Sequence, residues 1–316
     1  MNRVALLAVA AGVFGGTLLV AAIKGSILGV AFGVMFSALP LAMAVLALGP
    51  AALPVAVMGG AVTVTILTGS FVGPVVYFLN DVLPIAVLMR WAQTTQGNER
   101  VGGSALGISL TCLGLAAVAL MVFVLAMMPL GPDGLEATLK TGVEKALAEV
   151  VKANGGAPQV VDAAATLQAS AAVLPGAAGW NWCLRAIVSA ALAQAMLSRL
   201  GHALQPAPAY RHMAVPSWFI AVFWAIGAVA WFAPGDAGFV ARNAAAVLCL
   251  PLLLQGLTVV HSGIGRMEKA SFWLVGFYVM ALLTAALSFV VLVSLGVVDH
   301  FLKLRERMTA PPQGGV

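Results

Sequence analysis

The sequence predicts an all-α protein, a polytopic transmembrane bundle of about eight to ten membrane segments, some short or broken, with an extramembrane amphipathic helical hairpin. Three observations predict it. Of 316 residues, 62% are hydrophobic and only 9% charged, where a soluble domain carries roughly 25% charged residues. Mean hydropathy over the whole chain is +1.04. The apolar residues fall in continuous runs near the 20 or so that one span requires. A soluble enzyme, a disordered chain and a nucleic-acid-binding domain are excluded. An outer-membrane barrel is excluded too, because its strands would alternate apolar and polar residues. The net charge of +5 then serves to orient the chain in a bilayer, with no nucleic acid implied.

Nine stretches approach a span: Val4–Ile23, Ile27–Leu48, Ala51–Leu67, Phe71–Trp91, Ala105–Met128, Ala172–Leu197, Val215–Phe232, Phe239–Val260 and Ser271–Val298. The first has an arginine ahead of its apolar run and small residues near Ala22, a faint signal-peptide pattern. More apolar segments follow at once, so it reads as an uncleaved span. Gly49-Pro50 and Gly69-Ser70 leave so little chain between the second, third and fourth stretches that tight antiparallel hairpins follow. Pro40, Pro54, Pro74 and Pro84 lie within apolar stretches, where they bend or interrupt a helix. A bilayer tolerates the freed backbone groups only where protein or water covers them. The last stretch has 28 residues, about 42 Å of helix, too long for one upright span and too short for two full ones. Two short or re-entrant helices would fit it.

Pro129 to about Ala171 is the largest polar insertion. Leu135, Leu139, Val143, Leu147 and Val151 recur every four residues, with Glu136, Lys140, Glu144 and Lys145 on other faces. After the break at Asn154-Gly155-Gly156, a second pattern runs through Val160, Val161, Ala164, Leu167 and Ala171. This predicts an amphipathic hairpin that lies on the membrane surface or caps the bundle, a solvated loop being the alternative. The insertion holds five acids and three lysines, net −2, whereas the rest of the chain holds 13 basic and six acidic residues, net +7. Putting Arg90 with Arg100, Arg199 with Arg211, and Arg266 with Lys269 inside, and the insertion outside, obeys the positive-inside rule and places the N-terminus inside. Nine full crossings would leave Lys303, Arg305 and Arg307 outside, so an even count with a cytoplasmic tail is expected, either from a divided last stretch or because one of the first four stretches does not cross. The chain divides into N-terminal transmembrane helices (1–129), an extracytoplasmic insertion (130–171), C-terminal transmembrane helices (172–300) and a basic, partly disordered tail (301–316).

Polar residues at membrane depth are costly and point to function. Asn80 and Asp81 lie between Pro74 and Pro84, and a proline-broken helix with a carboxylate is a recurrent way to build a solute or cation site. Asp81 could equally lie nearer the interface or pair with an arginine. Trp180, Asn181 and Arg185 follow Pro175-Gly176, where an interfacial belt with a snorkelling arginine competes with a ligand role. Gln194, further along, suits a bond to a neighbouring helix. Asn243, Gln255 and His261 share the eighth stretch without forming one sharply aligned face. His261 has no carboxylate or histidine three or four residues on, so no metal is expected there and an interfacial or structural role suits it.

Gly25, Gly29 and Gly33 make two overlapping G-x-x-x-G steps, and Gly12 with Gly16 repeats the spacing. Such faces pack helices within one chain or dock a partner subunit. Cys112, Cys183 and Cys249 are dispersed in apolar surroundings and read as core residues. No G-x-x-x-x-G-K-[ST] loop, H-E-x-x-H or G-x-S-x-G occurs, and no span carries regularly spaced arginines. The chain is therefore expected to be no enzyme, with no cofactor and no ATPase of its own.

The chain resembles the YybS-like family of bacterial integral membrane proteins over most of its length, and the residues that carry the resemblance lie mostly in the second half. The resemblance is carried by Pro175 followed by Trp182 and Leu192-Ala193-Gln194, then by Pro216-Ser217-Trp218 and Leu250-Pro251. It continues through Gln255-Gly256-Leu257-Thr258-Val259-Val260-His261 and ends on Leu295-Gly296-Val297-Val298-Asp299 with Leu302 and Arg305. The chain departs from the pattern where Ser189 and Ala190 stand in place of an asparagine, and where Leu304 rather than an aromatic residue precedes Arg305. The resemblance implies a fold-level similarity to substrate-binding membrane subunits of energy-coupling-factor transporters, which borrow separate ATPases.

The function expected is a small-solute-binding or transport-related subunit of the bacterial inner membrane, in contact with the lipid bilayer. Its solute would be a small polar or aromatic metabolite. The alternative is a membrane scaffold or assembly factor packing against partner helices without a solute. An enzyme acting on lipid, with His261 and Asp81 working together, is the third possibility.

Overall fold

The apolar runs become helix almost without interruption. The computed structural model describes residues 2–25, 32–94, 104–129, 131–153, 155 and 158–309, and among these every regular element is helical. In order they are α1 (Arg3–Ile23), α2 (Val34–Phe36), α3 (Leu39–Leu48), α4 (Ala52–Thr68), α5 (Val72–Tyr77), a π-helical turn (Phe78–Val82) and α6 (Leu83–Thr94). Then come α7 (Ala105–Ala126), α8 (Gly134–Ala153), α9 (Pro158–Ala169), α10 (Leu174–Leu200), α11 (Ser217–Phe232), α12 (Gly235–Ile264), α13 (Ala270–Leu283), α14 (Ala285–Leu302) and α15 (Leu304–Thr309). Among the described residues, six helical stretches are long and apolar enough to cross a membrane. Four shorter apolar ones, Val34–Leu48, Ala52–Thr68, Ser217–Phe232 and Ala270–Leu283, stand among them.

Glycines set how closely the first helices approach. Gly12 and Gly16 lie against the backbone of Ala56 and Gly60, so α1 and α4 run side by side in the same direction. Gly15 faces the Ser37 carbonyl, and Gly33 faces Leu18 and Ala22, so the α2–α3 segment runs the other way between them. The spacing at Gly12 and Gly16 is thus used within the chain. Gly25 differs from its sequence reading. It follows α1 with φ +70°, and nothing lies within 4 Å of a Cβ built on it, so it ends a helix instead of lining a groove. Gly29 lies outside the described residues.

Backbone contacts gather the connections onto two faces. The Leu204 amide donates to the Leu46 carbonyl (3.1 Å) and the Ser104 amide to the Ala214 carbonyl (3.0 Å). Arg305 Nη1 donates to the Arg211 carbonyl (2.9 Å). The end of α3, the start of α7, the 201–216 connection and the tail therefore share one face, which is rich in Arg and Lys. On the other face α8 and α9 form the predicted hairpin. Leu135 and Leu139 pack on Met121, Leu125, Phe239 and Ala244, and Asp236 Oδ1 accepts the Leu135 amide (2.8 Å). The hairpin caps the bundle through α8, while Val161 and Leu167 of α9 remain exposed.

The last apolar stretch is two helices. α14 packs along α12 through Gly256 and Gly296, where a Cβ on either would stand 3.1 Å from the other's amide nitrogen. Asp299 accepts from Gln255 (3.1 Å), and the residues beyond α14 meet the end of α12 on the basic face. α14 is therefore parallel to α12, and the chain reverses at Thr284 (φ −113°, ψ 41°). The 14 residues of α13 reach about 21 Å and bury none of their side chains. Among the described residues α1 begins on the face where α14 ends, which corresponds to an even number of passes.

The core runs through Leu41, Tyr77, Ile85, Leu113, Phe219, Leu248 and Leu252, all fully buried. Trp231, Phe232, Leu282 and Leu283 point outward, a distribution that suits lipid and would be untenable in water.

Candidate functional site

The π-helical turn opens the site. Leu83 donates to the Phe78 carbonyl, five residues back. In that register the Leu79 carbonyl should meet residue 84, but Pro84 has no N–H. The indole Nε1 of Trp182, on α10, fills the vacancy at 2.8 Å. Two features that looked separate in the sequence, a proline-flanked helix and a tryptophan cluster, are thereby joined.

One turn along α10, Arg185 enters the same place. Its Nη2 lies 2.6 Å from Asp81 Oδ1 and 2.8 Å from Ser37 Oγ, while Nη1 donates to Asn80 Oδ1 at 2.7 Å. The Ser37 hydroxyl donates to Asp81 Oδ1 (2.7 Å). Side-chain exposure is 5% for Arg185 and 0% for Asp81. Two charges at this depth are tolerable because they neutralise each other and are held by hydrogen bonds. Glycines make room for the cluster: Gly15 admits the Ser37 backbone, and Gly60 admits the Tyr77 ring.

The cluster retains hydrogen-bonding capacity. Among the described residues, Asp81 Oδ2 and Arg185 Nε are buried without a hydrogen-bond partner, as are Tyr77 OH and, one turn further along α10, Ser189 Oγ. Thr111 Oγ1 on α7 is a fifth such atom. Buried polar groups are seldom left unpaired, because each costs about 1–3 kcal/mol. Ser37 and Tyr77 were not singled out from the sequence, and Ser189 was noted only as standing where the family pattern has an asparagine. A serine or tyrosine in an apolar run gives no signal until its neighbours are known.

The remaining residues singled out from the sequence do other work. Asn181 is exposed, one turn before Arg185. Trp180 donates to the Ala246 carbonyl and packs on Phe289 with ring centroids 5.6 Å apart, tying α10 to α12 and α14. Gln194 Nε2 donates to the Gln205 carbonyl (2.9 Å) and pins the 201–216 connection. Asn243 accepts the Gly176 amide (2.8 Å) and donates to the Ala172 and Phe239 carbonyls, bracing the start of α10.

Gln255 and His261 belong to a second polar group near the basic face. Gln255 Oε1 accepts the Val215 amide (2.9 Å), and its Nε2 donates to Gly296 O and Asp299 Oδ2. Arg305 closes the group with Nη2 2.7 Å from Asp299 Oδ2. His261 bonds the Leu257 carbonyl through Nδ1 and meets the Tyr278 hydroxyl at Nε2. Tyr210 OH donates to the Leu254 carbonyl (3.0 Å), and burial raises its phenol above the usual range. Several residues that carried the family resemblance, Gln255, Gly256, Gly296, Asp299 and Arg305, converge here. Among the described residues, no three of His, Cys, Asp and Glu gather into a metal-holding group.

These features define a polytopic α-helical membrane protein with a neutral, hydrogen-bonded ion pair inside its bundle. The chain belongs to the family described as predicted membrane protein (DUF2232), which matches residues 17–300. Comparison with curated proteins and with solved structures gave no match.

Proposed function

We propose that the protein is a solute-binding, transport-related subunit of the bacterial inner membrane, with the Asp81–Arg185 cluster as the polar wall of its site. The observation carrying this reading is the unused hydrogen-bonding capacity of the buried pair. Asp81 Oδ2 can accept and Arg185 Nε can donate, and Tyr77 OH and Ser189 Oγ can do either. A small polar metabolite with both donors and acceptors would complete the set, and an aromatic body would suit the surrounding apolar core. The cluster is closed in its present form. Entry would require α5 and α6 to separate about the π turn, whose weakened ladder makes it the natural hinge.

The resemblance to YybS-like proteins, and through them to energy-coupling-factor subunits, favours the same reading. So does the missing nucleotide-binding loop, which would leave energy to a partner subunit. We read the chain as no enzyme, since His261 and Asp81 belong to separate hydrogen-bonded groups. By the positive-inside rule the face with Arg211, Arg266 and Arg305 is cytoplasmic and the hairpin extracytoplasmic. The scaffold reading draws on α13, which buries no side chain, but lipid would cover such a face equally well.

The test is a thermal-shift screen of detergent-purified protein against pools of small polar and aromatic metabolites. A hit should stabilise the native protein and lose at least tenfold in affinity with Asp81→Asn, about 1.4 kcal/mol. A hit that binds Asp81→Asn and Ser189→Ala as tightly as the native protein would remove the cluster from the site.

A further inference from the structure

We propose that the cavity on the basic face is a binding site for a phosphoryl anion, separate from the Asp81–Arg185 cluster. The cavity has a volume of about 590 Å³ and lies between the start of α11, the end of α12 and the α14–α15 corner. Its walls carry Arg211, Arg266, Lys303 and Arg305 against Asp299 and Glu306, a surplus of two positive charges. The surplus is specific. Arg305 is engaged by Asp299 and Lys303 by Glu306. Among the described residues, no carboxylate forms an ion pair with Arg211 or Arg266. Two uncommitted guanidinium forks at the mouth of a cavity match the geometry of a phosphoryl group.

The helix beside them adds to the attraction. α11 has 16 residues and begins at Ser217 after Pro216, with no side chain capping its first turn. Ser217 lines the cavity, so the positive end of the helix dipole lies at its wall. A second cavity of about 580 Å³ shares Arg211, His212 and His261 with the first and extends to Ala270, Ser271 and Leu274 at the start of α13. Phe272 and Trp273 stand exposed next to it. A charged chamber that shares a wall with one beside exposed apolar side chains can take a phosphoryl group on an amphiphile as readily as a soluble one. Anionic lipid headgroups and soluble phosphates share the chemistry recognised here.

Three preparations test this: the native protein, Arg211→Gln with Arg266→Gln, and Ser217→Asp. The aspartate suits a helix N-terminus and therefore folding, but it sets a negative charge against the ligand. Each is reconstituted in nanodiscs containing phosphatidylglycerol and phosphatidylcholine, and lipid retained after detergent extraction is read by native mass spectrometry. Each is also titrated with inorganic phosphate in detergent while the melting temperature is followed. The expected result is selective phosphatidylglycerol retention, or stabilisation by phosphate, that falls on the order of tenfold or more in both variants. Lipid retention alone identifies a headgroup, and stabilisation by phosphate alone identifies a soluble ligand. No anion preference in the native protein, or an equal preference in both folded variants, overturns the proposal.

Discussion

Arg185 Nη2 and Asp81 Oδ1 meet 2.6 Å apart although 104 positions separate them in the chain. The contact joins α10 to the π turn between α5 and α6, and with Ser37 it reaches the α2–α3 segment as well. A single buried pair thus ties three separate stretches of the first and second halves together.

Breaking that pair from one side should be severe. Arg185→Met leaves a buried carboxylate without its counter-charge, and the expected loss is about 3–5 kcal/mol. Asp81→Leu combined with Arg185→Met should recover most of it, because two apolar side chains impose no desolvation penalty. Denaturation midpoints of the single and double variants in one detergent check this. A double variant no better than the single one would mean that the pair is not the source of the loss.

The indole of Trp182 should matter through its N–H. Trp182→Phe keeps most of the ring but leaves the Leu79 carbonyl unpaired beside Pro84, at a cost of about 1–3 kcal/mol. Trp180→Phe is the comparison, since its acceptor, the Ala246 carbonyl, faces the Leu250 amide in the helical register, and Pro251 of α12 frees the Val247 carbonyl instead. Thermal melts should rank the first change as the more harmful.

Glycines at the α12–α14 crossing should tolerate no enlargement. A Cβ on Gly256 would run into the Leu292 carbonyl, whereas one on Gly142 meets nothing within 4 Å. Gly256→Ala is expected to destabilise by several times RT, about 2 kcal/mol or more, through forced separation of packed backbones. Gly142→Ala should stabilise exposed α8 by about 1 kcal/mol. Melting temperatures moving in the same direction would contradict the assignment.

The even number of passes has a direct readout. Single cysteines at Glu268 and Lys303 should label from the same side of a sealed membrane, and one at Glu149 from the opposite side. Cys112, Cys183 and Cys249 would first be replaced by alanine or serine to remove background labelling. Labelling of 268 and 303 from different sides would refute the reversal at Thr284.

The sequence exposed the ingredients of the interior site more clearly than their arrangement. Asp81 and Arg185 stood out because charges are rare in apolar runs, and Pro74 and Pro84 announced a broken helix. That Asp81 could pair with an arginine was legible, but that the partner is Arg185 was not, because nothing local relates positions 104 residues apart. Ser37 and Tyr77 gave no signal, as their roles come from the glycines that let their helices approach. The length of the final stretch allowed two helices as one of two readings, and Thr284 carries no turn signature that would have chosen it. The spacing of Gly25, Gly29 and Gly33 suggested one packing face, but spacing does not reveal that α1 stops just before Gly25.

The proposed role of the buried pair is to receive a solute. Native mass spectrometry of gently extracted protein, comparing native with Asp81→Asn and Arg185→Gln, tests it most directly. A small-molecule adduct of defined mass on the native protein, absent from both folded variants, is the predicted result. The same adduct retained at equal occupancy on both variants would contradict it.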